Sequence, residues 1–166
     1  MTEITFRVNL PLEHRGLYAS CVSDEGFVDV NEFIEKLPDI KFEKMDLGSD
    51  ISGVLEKTGK NTFRIIVNEK ESEERQRFTA AHELGHYFLH RDFLKYGGKI
   101  EDRYILKAKN ISDEKEAEAN QFASAFLIPL DKVVKVMQSG KRNAESLADH
   151  FGVSIIAIAN RLGIPT

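Results

Sequence analysis

The motif His82-Glu83-Leu84-Gly85-His86 constrains the fold of this 166-residue chain more than any other feature. Histidines four residues apart lie on the same side of an α-helix, about 6 Å apart along its axis. Two imidazoles in this arrangement reach a single zinc ion at about 2.0–2.1 Å. The motif therefore predicts a helix that carries two metal ligands. A chance match with two ordinary surface histidines is the alternative.

The residues around the motif independently predict a helix. Apolar positions recur at helical spacing and form one stripe, with His82 and His86 at its edge, where a cleft would border the core. Gly85 lies within the stripe and allows another element to approach the backbone closely. The stripe comprises Phe78, Ala81, Gly85, Phe88 and Leu89.

Glu83 and His90 share this helix but are not predicted to bind the metal. Glu83 lies about 60° around the helix from His86, where it can hold a water molecule acidified by zinc and take its proton. His90 continues the four-residue spacing, but it lies about 12 Å along the axis from His82. We therefore expect His90 to orient a ligand or to be structural.

A third protein ligand is expected in a second helix, which follows the N-cap residue Ser112. Glu116 lies at the border of the apolar face, beside Asn120, whereas Glu118 points away and is expected to meet solvent. Burial thus favours Glu116 as the ligand and Asn120 as a residue that orients a ligand. The alternative is that Glu116 is a solvated acid near the helix start. The apolar face comprises Ala119, Phe122, Ala123, Phe126 and Leu127.

The remaining pattern predicts an α+β fold, with a helix and a small antiparallel sheet followed by a helical second half. Asn68 and Glu71 resemble a capping box that begins the motif helix. Gly152 is expected to interrupt the last helix. The predicted strands span residues 4–8, 40–45, 52–57 and 63–67, and the predicted helices span residues 28–37, 68–90, 112–128, 130–138 and 143–163.

Composition narrows the classes of function. Lys and Arg total 23 against 27 Asp and Glu, a net charge of −4, which argues against a strongly basic nucleic-acid binder. Cys21 is the single cysteine, so no internal disulfide forms. The longest near-apolar run, residues 122–130, is too short to span a bilayer, and residues 1–6 do not resemble a signal peptide. We expect a cytoplasmic protein.

Several segments resemble the ImmA/IrrE family of zinc metallopeptidases. Residues 74–86 are similar to the family's signature helix and residues 116–129 to its second signature helix. Residues 50–53 and 66–68 are similar to its upstream sheet elements, and the resemblance covers about residues 28–136. It implies a gluzincin-like fold, in which a small antiparallel sheet packs on a zincin-like two-helix core.

The resemblance also implies roles for individual residues. Carried over by position, His82, His86 and Glu116 bind one zinc ion per chain, and Glu83 is the catalytic base. The implied activity is site-specific cleavage of a helix-turn-helix repressor of the XRE type. Some family members look instead like partners in toxin–antitoxin pairs.

The domain organisation predicted from the sequence has two parts. Residues 1–138 form the zincin-like metallopeptidase domain, in which residues 1–26 are an unassigned extension. Residues 139–166 form a helical C-terminal subdomain that resembles a helix-turn-helix. Its last helix carries only Arg161 to meet phosphate, which argues against direct DNA binding. A module that binds a repressor or antitoxin without cutting it is a further alternative.

A peptidase site also requires a surface that pairs with the substrate chain. The strand at residues 63–67 is a candidate for pairing with the substrate, if it lies at the sheet edge. An oxyanion donor is also required, and no single residue stands out. The candidates are Tyr87, His90, Tyr104 and His150.

Overall fold

The computed structural model describes residues 8–95, 97–103 and 112–165, and these form seven α-helices, four β-strands and two short 3₁₀ turns. The helices are α1 (Arg15–Ser20), α2 (Val30–Glu35), α3 (Glu73–His90), α4 (Asp113–Leu127), α5 (Leu130–Gln138), α6 (Ala144–Phe151) and α7 (Ile155–Leu162). The strands are β1 (Ile40–Met45), β2 (Ile51–Lys57), β3 (Phe63–Asn68) and β4 (Lys99–Arg103). The predicted α+β class is confirmed, whereas the zincin-like description of its core stays a prediction.

The sheet is mixed rather than antiparallel, with the strand order β1-β3-β2-β4. The turn at residues 58–62 returns β3 antiparallel to β2. However, β3 inserts between β2 and β1 and runs parallel to β1, with Ile40 opposite Phe63. Its four apolar side chains are all buried, which explains its central position. The condition for pairing a substrate with this strand, a place at the sheet edge, is therefore not met.

Strand β4 is not among the strands that the sequence pattern predicts. Its residues are mostly charged, without the apolar alternation that marks a strand, yet Ile100 is buried opposite Leu55 of β2. A charged strand at the edge of a sheet is a common arrangement, because charge discourages pairing with other chains. Pairing with β2, rather than local sequence, therefore determines this strand.

Helix α3 begins later than the sequence pattern suggests. Ser72 is its N-cap and accepts a hydrogen bond from the Arg75 amide. Asn68 is not the cap, because its buried side chain donates to the carbonyl oxygens of Gly48 and Ile51. Asn68 thus holds the loop between β1 and β2, and the predicted capping box is wrong.

The C-terminal helices share the hydrophobic core with the rest of the described chain. Gly152 separates α6 from α7 in the left-handed conformation, with φ of 62°, as the predicted helix break requires. The partly buried guanidinium of Arg77 on α3 donates to the carbonyl oxygens of Val28, Phe151 and Gly152. The division of the chain after residue 138 stays a prediction.

The N-terminal segment, for which the sequence suggests no role, packs on α4. The Tyr18 hydroxyl of α1 donates to the carbonyl oxygen of Phe126 at 2.7 Å, and Leu10 and Cys21 are buried. The predicted strand at residues 4–8 lies almost entirely outside the described residues. None of the helices described is long and apolar enough to cross a membrane.

Close packing of β2 against α3 makes a prediction for Gly53. A Cβ atom at Gly53 lies 2.4 Å from Thr79 Cγ2 and 3.2 Å from the carbonyl oxygen of Ile66. We expect Gly53→Ala to lower the free energy of unfolding by about 1–3 kcal/mol, the usual cost of overpacking. Urea denaturation monitored by circular dichroism measures this change.

Gly16→Ala is the matched control for this substitution. It adds the same methyl group in α1, where no described neighbour lies within 4 Å of the new Cβ atom. We expect it to be neutral or stabilising, since alanine favours helix over glycine. Equal stability of Gly53→Ala and the unsubstituted protein would contradict the close contact between β2 and α3.

Candidate metal centre

Three side chains from two helices converge on one point. His82 and His86 of α3 and Glu116 of α4 each offer a ligand atom, and these atoms lie within 4.8 Å of one another. The two histidine Nε2 atoms are 3.1 Å apart. The Glu116 carboxylate oxygens lie 3.3 Å from His82 Nε2 and 3.1 Å from His86 Nε2. The structure thus brings together the three residues that the sequence singled out as metal ligands.

A close approach of α3 and α4 produces this convergence. At Gly85 an added Cβ atom lies 3.2 Å from Ala119 Cα and 3.1 Å from Phe122 Cβ, so a side chain there meets the facing helix. The sequence predicts this role for Gly85 from its position within the apolar stripe. Glu116 lies one helical turn before Ala119 on α4. The close contact between Gly85 and Ala119 therefore places the Glu116 carboxylate beside the two histidines.

The electrostatics of the cluster favour the protonation states that bind metals. Burial alone raises the pKa of Glu116, but hydrogen bonds and charge from His82 and His86 outweigh this effect and lower the pKa to about 2. Burial is also the largest influence on His86, where it lowers the pKa below the usual value. At neutral pH the cluster therefore offers an ionised carboxylate and a neutral imidazole.

Hydrogen bonds behind both histidines orient their rings. His82 Nδ1 lies 2.8 Å from Asn120 Oδ1, which is the role predicted for Asn120. His86 Nδ1 lies 2.8 Å from His90 Nδ1, so His90 touches a candidate ligand without belonging to the cluster. Both contacts leave the Nε2 atoms directed at the shared point. The donor set, two imidazole nitrogens and one carboxylate, fits a catalytic zinc site with an open position.

Glu118 meets solvent, as expected, but it also makes a contact that the sequence does not predict. Its side chain is 48% exposed. Glu118 Oε2 lies 2.7 Å from His90 Nε2. Helical-wheel reasoning missed this contact because His90 comes from the facing helix, and a wheel considers one helix at a time.

Glu83 lies on the side of α3 that faces β2, and its side chain is completely buried. Its Cγ atom is 3.3 Å from the position of a Cβ atom at Gly53, so the glycine makes space for it. Glu83 is not one of the three clustered ligands. This agrees with the prediction that it does not bind the metal.

The candidates for an oxyanion donor have different surroundings. The Tyr87 hydroxyl donates to Asp39, and the Tyr87 ring packs edge-on against Phe63 of the sheet. His150 Nε2 lies 2.6 Å from the carbonyl oxygen of Glu25. Both contacts hold the fold together, and Tyr104 lies outside the described residues. His90 is occupied between His86 and Glu118.

Comparison with known proteins identifies the family. Residues 37–163 match the model of the IrrE N-terminal-like domain, which defines the M78 peptidases. The chain belongs to this family. Metallopeptidase ImmA of Bacillus subtilis (strain 168) is 28% identical to it over 153 residues, which cover 90% of this chain and 83% of that protein. These findings confirm the ImmA/IrrE resemblance and support a metallopeptidase.

The environment of Tyr87 yields a prediction that separates structure from catalysis in this M78 peptidase. We expect Tyr87→Phe to reduce the free energy of unfolding by about 1–2 kcal/mol, because the hydrogen bond to Asp39 is lost. A double-mutant cycle with Asp39→Ala, measured by urea denaturation, isolates that bond. If the two single changes add without coupling, the Tyr87 hydroxyl is not held by Asp39 and again becomes a candidate for the site.

Proposed function

We propose that this protein is a zinc-dependent metalloendopeptidase that cleaves a specific peptide bond in a protein substrate. The observation that carries the proposal is the convergence of the ligand atoms of His82, His86 and Glu116 within 4.8 Å of one another. Membership of a metallopeptidase family supports hydrolysis as the reaction. The burial of Glu83 on the same helix as the two histidines supports a role in catalysis.

In this proposal His82, His86 and Glu116 hold one metal ion per chain. Zinc, when bound, supplies a Lewis acid that lowers the pKa of water to about 7 and polarises a carbonyl group. Two imidazoles and a carboxylate are a donor set typical of catalytic zinc, although manganese and cobalt use the same donor types. Asn120 and His90 keep the two imidazoles in the binding orientation.

Glu83 acts as the general base and later as the general acid. Its carboxylate takes a proton from the attacking water and passes it to the nitrogen of the leaving amine. Because its side chain is fully buried, bulk water does not compete for the carboxylate. Gly53 leaves the space that Glu83 occupies, so the sheet supports the base from behind.

The substrate class follows from the family resemblance. We place the protein in the cytoplasm and assign it a helix-turn-helix repressor of the XRE type as its substrate. Direct binding to DNA is disfavoured, because Arg161 of α7 donates to the carbonyl oxygen of Ile128 and is partly buried. That arginine is the only cation in α7, so this helix lacks free charge for phosphate contacts.

The metal content of the purified protein tests the ligand set. After zinc loading and gel filtration, we expect elemental mass spectrometry to find about one zinc per chain, and Glu116→Ala to lose it. Glu114→Ala removes an exposed acid from the same helix and serves as the control. No zinc in the unsubstituted protein, or equal zinc in both variants, would contradict the site.

A substitution at Glu83 tests the mechanism. We expect Glu83→Gln to retain zinc but to reduce cleavage by about 10²–10⁴-fold, because the amide cannot take the proton. XRE-type repressors of the source genome, co-expressed one at a time, provide substrates, and intact-mass spectrometry detects fragments. A stable complex that never yields fragments with the unsubstituted protein would favour the non-cleaving binding module instead.

A further inference from the structure

We propose that Glu118, acting through His90, positions His86 for metal binding by determining which ring nitrogen of His86 carries a proton. Glu118 Oε2 lies 2.7 Å from His90 Nε2, and His90 Nδ1 lies 2.8 Å from His86 Nδ1. These three side chains, termed the relay below, connect a half-exposed carboxylate to a candidate ligand that is fully buried. The proposal rests on the proposed function, in which His86 is a ligand.

The chemistry of the three groups gives the relay a direction. An ionised carboxylate only accepts hydrogen bonds, so His90 must carry a proton on Nε2 to donate to Glu118. The Nδ1 atom of neutral His90 is then an acceptor, and His86 must donate to it from its own Nδ1. His86 Nε2 is consequently left with its lone pair, and this is the atom that points into the cluster.

If the hydrogen bonds of the relay ran in the opposite direction, a lone pair of His90 would face a lone pair of the Glu118 carboxylate. If His86 carried its proton on Nε2, neutral His90 would need its proton on Nδ1 to keep the 2.8 Å contact. His90 Nε2 would then present a lone pair to the Glu118 carboxylate at 2.7 Å. The relay therefore opposes the two competing contacts of the metal-free protein, in which His86 Nε2 donates to Glu116 at 3.1 Å or to His82 Nε2 at 3.1 Å.

The two histidine ligands are supported differently. His82 Nδ1 meets the neutral amide oxygen of Asn120, whereas the partner of His86 is itself held by a carboxylate. A carboxylate behind a metal-binding histidine fixes the ring and increases its basicity. Glu118 thus acts on the metal site without touching it, as a positioning residue.

The protonated nitrogens can be read in the metal-free protein. With ¹⁵N-labelled histidine, two-bond ¹H–¹⁵N spectra at pH 8 distinguish the two neutral forms of each ring. We expect the proton on Nδ1 in His86 and on Nε2 in His90, with His86 shifting towards the Nε2 form in Glu118→Ala. A proton on His86 Nε2 in the unsubstituted protein, or an unchanged spectrum in Glu118→Ala, would overturn the relay. So would a doubly protonated His90.

Zinc affinity, measured by competition with a chelator, provides the second readout. We expect Glu118→Ala to raise the zinc Kd by about 10–100-fold, the range found when residues supporting a metal ligand are removed. Glu118→Gln should restore most of the affinity, because its amide oxygen still accepts from His90. Glu114→Ala, an exposed acid one turn earlier on α4, should leave the Kd unchanged.

The outcomes separate the relay from the function it serves. If the unsubstituted protein binds no zinc, the proposed function fails, and the histidine spectra still decide whether the relay exists. If it binds zinc but Glu118→Ala and Glu114→Ala have the same Kd, the ligand set stands and the relay is wrong. A fall in unfolding free energy in Glu118→Ala without a change in Kd would show that the contact only joins the two helices.

Discussion

At Gly85 the backbone of α3 lies so close to α4 that one added Cβ atom comes within 3.2 Å of the Cα atom of Ala119. Because of this contact, side chains of α3 meet side chains of α4 that are far from them in the sequence. Glu116 reaches His82 and His86 only if its helix approaches this closely. The same pair of helices brings Glu118 to His90. Both the candidate ligands and the contact between Glu118 and His90 thus depend on the absence of a side chain at Gly85.

Burying polar side chains costs free energy, and hydrogen bonds between the buried side chains of this site offset that cost. His82, His86 and His90 are nearly inaccessible to solvent, and each has a hydrogen-bond partner. The ionised form of Glu116 is stabilised by the two histidines, which is why its pKa falls despite partial burial. A metal ion bound at this point would replace those internal contacts with stronger ones, because the rings are already oriented to make them.

The local sequence predicts those features of the protein that belong to a single helix. The i, i+4 spacing of His82 and His86, the apolar stripe around Gly85 and the Ser112 cap all belong to single helices, and the structure contains each of them. Glu116 could be chosen over Glu118 because the border of an apolar face is a property of one helix. The features that the sequence did not predict depend on contacts between elements. Strand β4 forms by pairing with β2, and the contact between Glu118 and His90 joins α4 to α3. The insertion of β3 between β1 and β2 has the same origin.

The proposed metal ion binds where α3 and α4 meet. An anomalous difference map from crystals of the zinc-loaded protein, with data collected on both sides of the zinc absorption edge, tests this location most directly. We expect one peak within bonding distance, about 2.0–2.2 Å, of His82 Nε2, His86 Nε2 and a Glu116 oxygen. A zinc peak elsewhere on the protein, with none between these three side chains, would contradict the claim.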